Sequence, residues 1–194
     1  MSRVLAILLS IVCLVAVPAC QPAQQSSSSG KIGVVVTLLP QREFVTAVGG
    51  DRVSVTVMVP PGASPHTYEV TPAQMAQLSK ARMYAKVGSP VEFELTWLEK
   101  LIAQNRDMLV VDCSRGISLI ESSDEHEPGP DPHIWTSLKN AWVMVDNICQ
   151  GLIQIDPPGQ PYYEANRDAY VARLNALDSE IATLLKDAKN LMIW

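Results

Sequence analysis

Four short runs of β-branched and aliphatic residues, at positions 32–37, 53–59, 83–87 and 108–112, constrain this chain more than any other feature. The segments Val34-Val35-Val36 and Met108-Leu109-Val110-Val111 are uninterrupted rather than alternating, as expected of strands covered on both faces. Between the runs lie stretches with the three-and-four spacing of amphipathic helices, at 41–48, 72–81 and 91–104. Strand, helix and strand in regular succession predict a parallel sheet with helices packed upon it, an α/β fold.

Beyond the fourth run, positions 115–132 lose periodicity and gain acids, glycine and proline, which predicts an exposed loop. A helix follows over 137–155, with Trp142, Val145, Ile148, Cys149, Leu152 and Ile155 as its apolar stripe. Asp156-Pro157-Pro158-Gly159 stops it, because proline cannot continue a helical hydrogen-bond ladder. Positions 162–188 then contain neither glycine nor proline and carry Tyr163, Tyr170, Leu174, Leu177, Ile181, Leu184 and Ala188 at mostly helical steps. A helix of that length spans about 40 Å at 1.5 Å per residue, more than a small sheet needs as a cover. The final run, Leu191-Met192-Ile193-Trp194, is strand-like. It either joins the edge of the first sheet or opens a second one.

The chain has 47% hydrophobic and 18% charged residues, which excludes a disordered tail, a collagen-like fibre and a polytopic membrane protein. Its net charge of −5, with no basic stripe, argues against nucleic acid as a partner. Part of the apolar fraction sits in residues 1–19, where Arg3 precedes a short apolar stretch and Val17-Pro18-Ala19. That is the pattern of a secretory signal peptide, too short to span a bilayer comfortably. Cys20 directly after a small residue resembles the lipobox of exported lipoproteins, in which this thiol receives a diacylglycerol. Pro18 stands where that family usually has Ser, Thr or Ala. Residues 20–30, ending in Gln-Gln-Ser-Ser-Ser-Ser-Gly, have nothing to bury and suit a lipid-anchored flexible tether. Cys113 and Cys149 remain, and are expected as two separate small core residues rather than a disulfide.

Chemistry-bearing residues are few. His66 lies in the Pro60–Glu69 turn region after the second apolar run, and His133 in Asp131-Pro132-His133-Ile134-Trp135 just before a helix. Loops leaving the carboxyl ends of parallel strands are where α/β sheets bind ligands, and the proline before each histidine limits backbone freedom. Imidazole suits borderline ions such as Zn²⁺. The residues alone support either a shared metal site or two exposed loop histidines. Glu69 and Asp131, the nearest acids, are candidates to orient the rings through their second nitrogens, or ordinary turn residues. His126, among four acids, is a possible accessory metal residue or part of a solvated acidic loop. Trp135 and Trp142 are expected to be buried.

The segments Gly62-Ala63-Ser64-Pro65-His66-Thr67-Tyr68-Glu69-Val70-Thr71-Pro72 and Asp131-Pro132-His133-Ile134-Trp135 resemble the paired N-lobe signatures of the zinc-uptake family of metal-binding lipoproteins. These are the zinc or manganese solute-binding proteins of ABC-type importers. The resemblance covers almost all of residues 31–194, with Val70 in place of the usual proline. It implies that His66 and His133 are metal ligands. It also implies a four-stranded parallel-sheet N-terminal lobe over 31–156, a long linking helix over 157–188 and, at 189–194, the first strand of a second α/β lobe. The family completes the ion's shell from that second lobe, so the resemblance implies a truncated second lobe and about half of a metal site.

The function expected is therefore extracytoplasmic capture of Zn²⁺ or Mn²⁺ by a monomer. It would be exported, anchored through Cys20 to the outer face of the cytoplasmic membrane or periplasmic, and would serve an ABC permease. It is expected to be a binding protein and not an enzyme. The alternatives are a fragment without function, a surface adhesin and, least favoured, a secreted zinc hydrolase, for which no HExxH-like ligand pair is present.

Overall fold

The computed structural model describes residues 30–121 and 129–186. The segment expected to be a signal peptide, Cys20, His126 and the final apolar run lie outside the described residues.

Four strands, β1 (Ile32–Val36), β2 (Val53–Val57), β3 (Met83–Lys86) and β4 (Leu109–Asp112), form one sheet in the order β2-β1-β3-β4. Every pairing is parallel: Val34 stands opposite Val55 and Met83, and Met83 opposite Leu109. The connecting helices are α1 (Leu39–Gly49), α2 (Pro72–Leu78) and α3 (Glu92–Gln104), and α4 (Leu138–Ile155) and α5 (Gln160–Leu185) follow. The chain leaves β1 toward one edge of the sheet and then crosses to the other. With right-handed crossovers this puts α1 on one face and α2 and α3 on the opposite one. α4 packs against α1, β3 and β4, and α5 lies across α4 and α1 as an outer layer.

Burial follows strand position. Val34, Val35, Val36, Met83, Tyr84 and Ala85 of the two central strands are buried. The edge strands are only partly covered, and β4 is intermediate throughout. The expectation of two covered faces thus holds in the sheet centre and weakens at its edges. Phe44, Val45 and Val48 of α1 and Met144, Val145, Ile148 and Leu152 of α4 fill one side of the core, and Leu78, Phe93 and Leu101 the other. Cys113 and Cys149 are free and buried, as expected of two separate core residues. Burial raises the Cys149 thiol to about 11 and the Cys113 thiol further, so both are inert as nucleophiles.

Helix ends are set by local chemistry. Thr71 caps α2 by accepting from the Gln74 amide (3.3 Å), Gln74 accepts from the Thr71 amide (3.0 Å), and Pro72 occupies the first turn. Ser137 caps α4 through the Asn140 amide. Gly151 lets α4 approach the sheet: a Cβ there would lie 2.5 Å from Val111 Cγ2 and 2.9 Å from Met83 Sδ.

The stripe assigned to α4 needs one correction. Trp142 is 46% exposed, not buried. Ala141 and Met144 take the inward positions, and Trp142 borders a surface depression with Leu138, Lys139, Leu174, Asn175 and Asp178. The long helix α5 is confirmed at 26 residues, but only Tyr163, Tyr170 and Leu174 of its stripe are buried. Leu177, Ile181 and Leu184 are exposed, because the body ends before the helix does.

The start of α5 is clamped. Asp156 Oδ2 accepts from Arg52 Nη2 at 2.6 Å and from the Tyr163 hydroxyl at 2.5 Å, and Asn166 Nδ2 donates to the Val48 carbonyl at 2.9 Å. Burial works against the Asp156 charge, yet Tyr163 and Arg52 outweigh it and hold the carboxyl below the ordinary carboxylate range.

Two stability predictions result. Gly151→Val forces α4 off the sheet and lowers unfolding stability by about 2 kcal/mol, read from urea denaturation. A carboxyl with a depressed folded-state pKa stabilises above its unfolded value, about 3.9, and loses that contribution as pH falls through the folded value. Asp156→Asn is therefore less stable than the unmutated chain at pH 7, and the gap narrows below about pH 4. A gap independent of pH would contradict the ionic clamp.

Candidate functional site

All four strand-to-helix connections leave the same end of the sheet, the carboxyl end, and both notable histidines are found there. The loop after β2 is folded by short bonds. Ala63 N donates to the Pro60 carbonyl (3.1 Å), Tyr68 N to the Ser64 carbonyl (3.0 Å), and His66 N to Ser64 Oγ (3.3 Å). Tyr68 pins the loop's far side by donating its hydroxyl to Gln74 Oε1 at 3.0 Å, while Gln74 Nε2 reaches back to the Met58 carbonyl at 2.6 Å. His66 is left projecting, its side chain 54% exposed.

His133 is held by its own neighbour. Asp131 Oδ1 accepts from the His133 amide and from His133 Nδ1, both at 2.8 Å. The amide and the ring together keep the Asp131 carboxyl below the ordinary carboxylate range. Behind the ring, Trp135 stands edge-on, with ring centroids 5.3 Å apart, and Ile134 is buried as an anchor.

His66 is paired in the same manner, with an acid from another element. Its Nδ1 lies 2.6 Å from Glu92 Oε2, in the first turn of α3. Of the two readings open for Glu69, the geometry favours the ordinary turn residue: Glu69 is exposed, and the acid on His66 is Glu92. The acid on the His133 ring is its neighbour Asp131. Glu92 escaped the sequence reading because it is distant in the chain. The available signal was an acid opening a helix directly after β3, at the carboxyl end of the sheet.

The two rings face shared space. His66, Glu92 and His133 line one open cavity of about 330 Å³, with Trp135, Leu95 and prolines around them. His66, His133 and Trp135 also border the adjoining depression beside Leu38–Pro40. A carboxylate accepts and does not donate, so each Nδ1 carries a proton toward its acid, which in the neutral ring leaves the lone pair on Nε2. Two such nitrogens form a donor pair suited to a borderline metal ion. Among the described residues, no group of three or more His, Cys, Asp or Glu side chains is gathered as a cage.

A buried polar cluster lies under the turn between β3 and α3. Glu94, one turn into α3, accepts from the amides of Val87 (2.6 Å) and Gly88 (3.0 Å) and from the Thr37 hydroxyl, which also meets the Tyr84 hydroxyl at 2.9 Å. Burial pushes the Glu94 carboxyl up, and these donors oppose the shift. Gly88 adopts φ +87°, and a Cβ there would fall 2.0 Å from Asp112 Oδ1, so the turn requires glycine.

The pattern of the family described as ZnuA, zinc-uptake complex component A, periplasmic, matches residues 34–193. The manganese ABC transporter substrate-binding lipoprotein scaA of Streptococcus gordonii is 33% identical over 183 residues, 90% of this chain and 58% of that protein. The high-affinity zinc uptake system protein ZnuA of Bacillus subtilis (strain 168) is 31% identical over 192 residues, 91% of this chain and 60% of that protein. A crystal structure of a ZnuA deletion mutant (138–173) with zinc bound superposes with a TM-score of 0.75 at 37% identity, over 81% of this chain and 60% of that one. The chain thus spans about three fifths of the length of these relatives. By the family match over most of its length, the chain belongs to the ZnuA family of metal-uptake substrate-binding components.

Proposed function

We propose that this chain captures a divalent transition-metal ion, Zn²⁺ or Mn²⁺, through His66 and His133 outside the cytoplasmic membrane, and delivers it to an ABC permease. The observation that carries the reading is that both imidazoles line one cavity with their Nδ1 atoms already bonded to carboxylates. Carboxylate, histidine and metal in series is the usual way to fix a ring's tautomer and raise its basicity toward an ion. The names of the relatives, a manganese and a zinc uptake protein, support the same cargo class. The family is a transport component rather than an enzyme family.

The ion is cargo, so the site must hold it and also release it. Among the described residues the site offers two protein nitrogens, and two ligands hold an ion less tightly than a closed four-ligand shell. Nitrogen donors favour Zn²⁺ over Mn²⁺ in intrinsic affinity and disfavour Ca²⁺ and Mg²⁺, which prefer oxygen. Cys20 carries the lipid in this reading, and residues 20–30 hold the α/β body off the membrane surface.

Calorimetric titration with Zn²⁺ tests the site. His66→Ala or His133→Ala alone weakens binding at least about tenfold, and the double variant removes specific binding. Unchanged titration in the double variant would overturn the reading. Cys20→Ser moves the protein from the detergent phase to the aqueous phase when it is expressed in a lipoprotein-processing host. Equal partitioning of both forms would rule out the anchor.

A further inference from the structure

The two histidine loops reach the site from opposite sides. The His66 loop leaves β2, one edge of the sheet, and the His133 loop follows β4, the other edge. Their relative placement therefore depends on whatever spans the distance between those edges. Among the described residues, the segment that runs from the turn after β3 into the start of α3 bonds to both. Its Glu92 meets His66 Nδ1, and its Ser89 Oγ donates to the Pro132 carbonyl at 2.6 Å, one residue before His133.

We propose that Ser89 is a positioning residue of the His66 and His133 site, its hydroxyl clasping the His133 loop to the turn that leads directly into Glu92, the partner of His66. The proposal rests on the metal-capture reading above. Ser89 is 4% exposed, so its hydroxyl cannot trade the Pro132 carbonyl for bulk water without moving. The turn that carries it is itself fixed from below, by the Glu94 carboxylate on the Val87 and Gly88 amides. On its other side the His133 loop is secured to the chain before it, with Asp131 N donating to the Ile120 carbonyl at 2.7 Å and Glu121 bridging to Pro130. Those contacts fix the loop to the outer edge. Ser89 fixes it relative to His66, so that less ordering remains to be done when an ion arrives.

The test is calorimetric titration of the full chain with Zn²⁺ alone and with Mn²⁺ alone, in the unmutated form and in Ser89→Ala, Ser89→Thr and Ser179→Ala. Ser179 lies on α5, bonded to the Asn175 carbonyl, and serves as a remote control. Ser89→Ala is expected to weaken binding by about tenfold, the effect typical of residues that orient metal ligands. Ser89→Thr, which keeps the hydroxyl, is expected to bind within about threefold of the unmutated chain, and Ser179→Ala to match it. The metal-free melting midpoint of Ser89→Ala should fall by no more than about a few degrees, while the metal-induced rise in midpoint shrinks only in Ser89→Ala. Unmutated binding that Ser89→Ala reproduces overturns the clasp and leaves the metal-capture reading standing, as does equal loss in the Ala and Thr variants. Absence of binding in the unmutated chain removes both. Should Ser89→Ala fail to fold, the unmutated chain decides alone: a slowly exchanging Ser89 hydroxyl proton with NMR contacts to residues 132 and 133 supports the clasp, and its absence overturns it.

Discussion

A histidine ring has two nitrogens, and a carboxylate bonded to one of them decides what the other is free to do. In this protein the bonds from His66 to Glu92 and from His133 to Asp131 make that decision twice, both through Nδ1. Without them each ring would be a half-exposed loop side chain, rotating between tautomers and orientations. With them, the neutral rings have a fixed tautomer, and both line one cavity. The chemistry proposed for the site depends on this constraint, and so does the role assigned to the scaffold.

The scaffold delivers the four residues from three connections at the carboxyl end of a parallel sheet, the general location of ligand sites in such sheets. The central strands supply rigidity through full burial, and the turn after β3 transmits it outward. Burying Glu94 beneath that turn is costly for a carboxyl group, and it is compensated by donors from two backbone amides and Thr37. A buried polar group retained next to a site specifies geometry at some expense in stability.

Much of this was legible in the residues, and the failures have physical causes. Short apolar runs located all four strands, and proline at 157 and 158 separated α4 from α5, because these signals are local. His66 and His133 were legible as site candidates from their place in loops flanked by proline, and Asp131 from its nearness to His133. Glu92 was not, since its contact with His66 is made by the fold and not by the chain. Ser89 escaped for the same reason. Trp142 fell on a helical stripe by spacing, yet Ala141 and Met144 turn inward instead, and a one-residue rotation of a helix face is not encoded in periodicity alone. The stripe of α5 was read correctly as a pattern, but a pattern does not say where along a helix its cover ends.

Nitrogen-15 NMR of the histidine rings during titration with Zn²⁺ addresses the central claim most directly. The expected result is that the Nε2 resonances of His66 and His133 shift together, saturating at one ion shared by both rings, while each Nδ1 remains protonated beside its carboxylate. A shift in only one of the two rings, coordination through Nδ1, or independent saturation of the two rings would contradict the claim that they converge on a single ion.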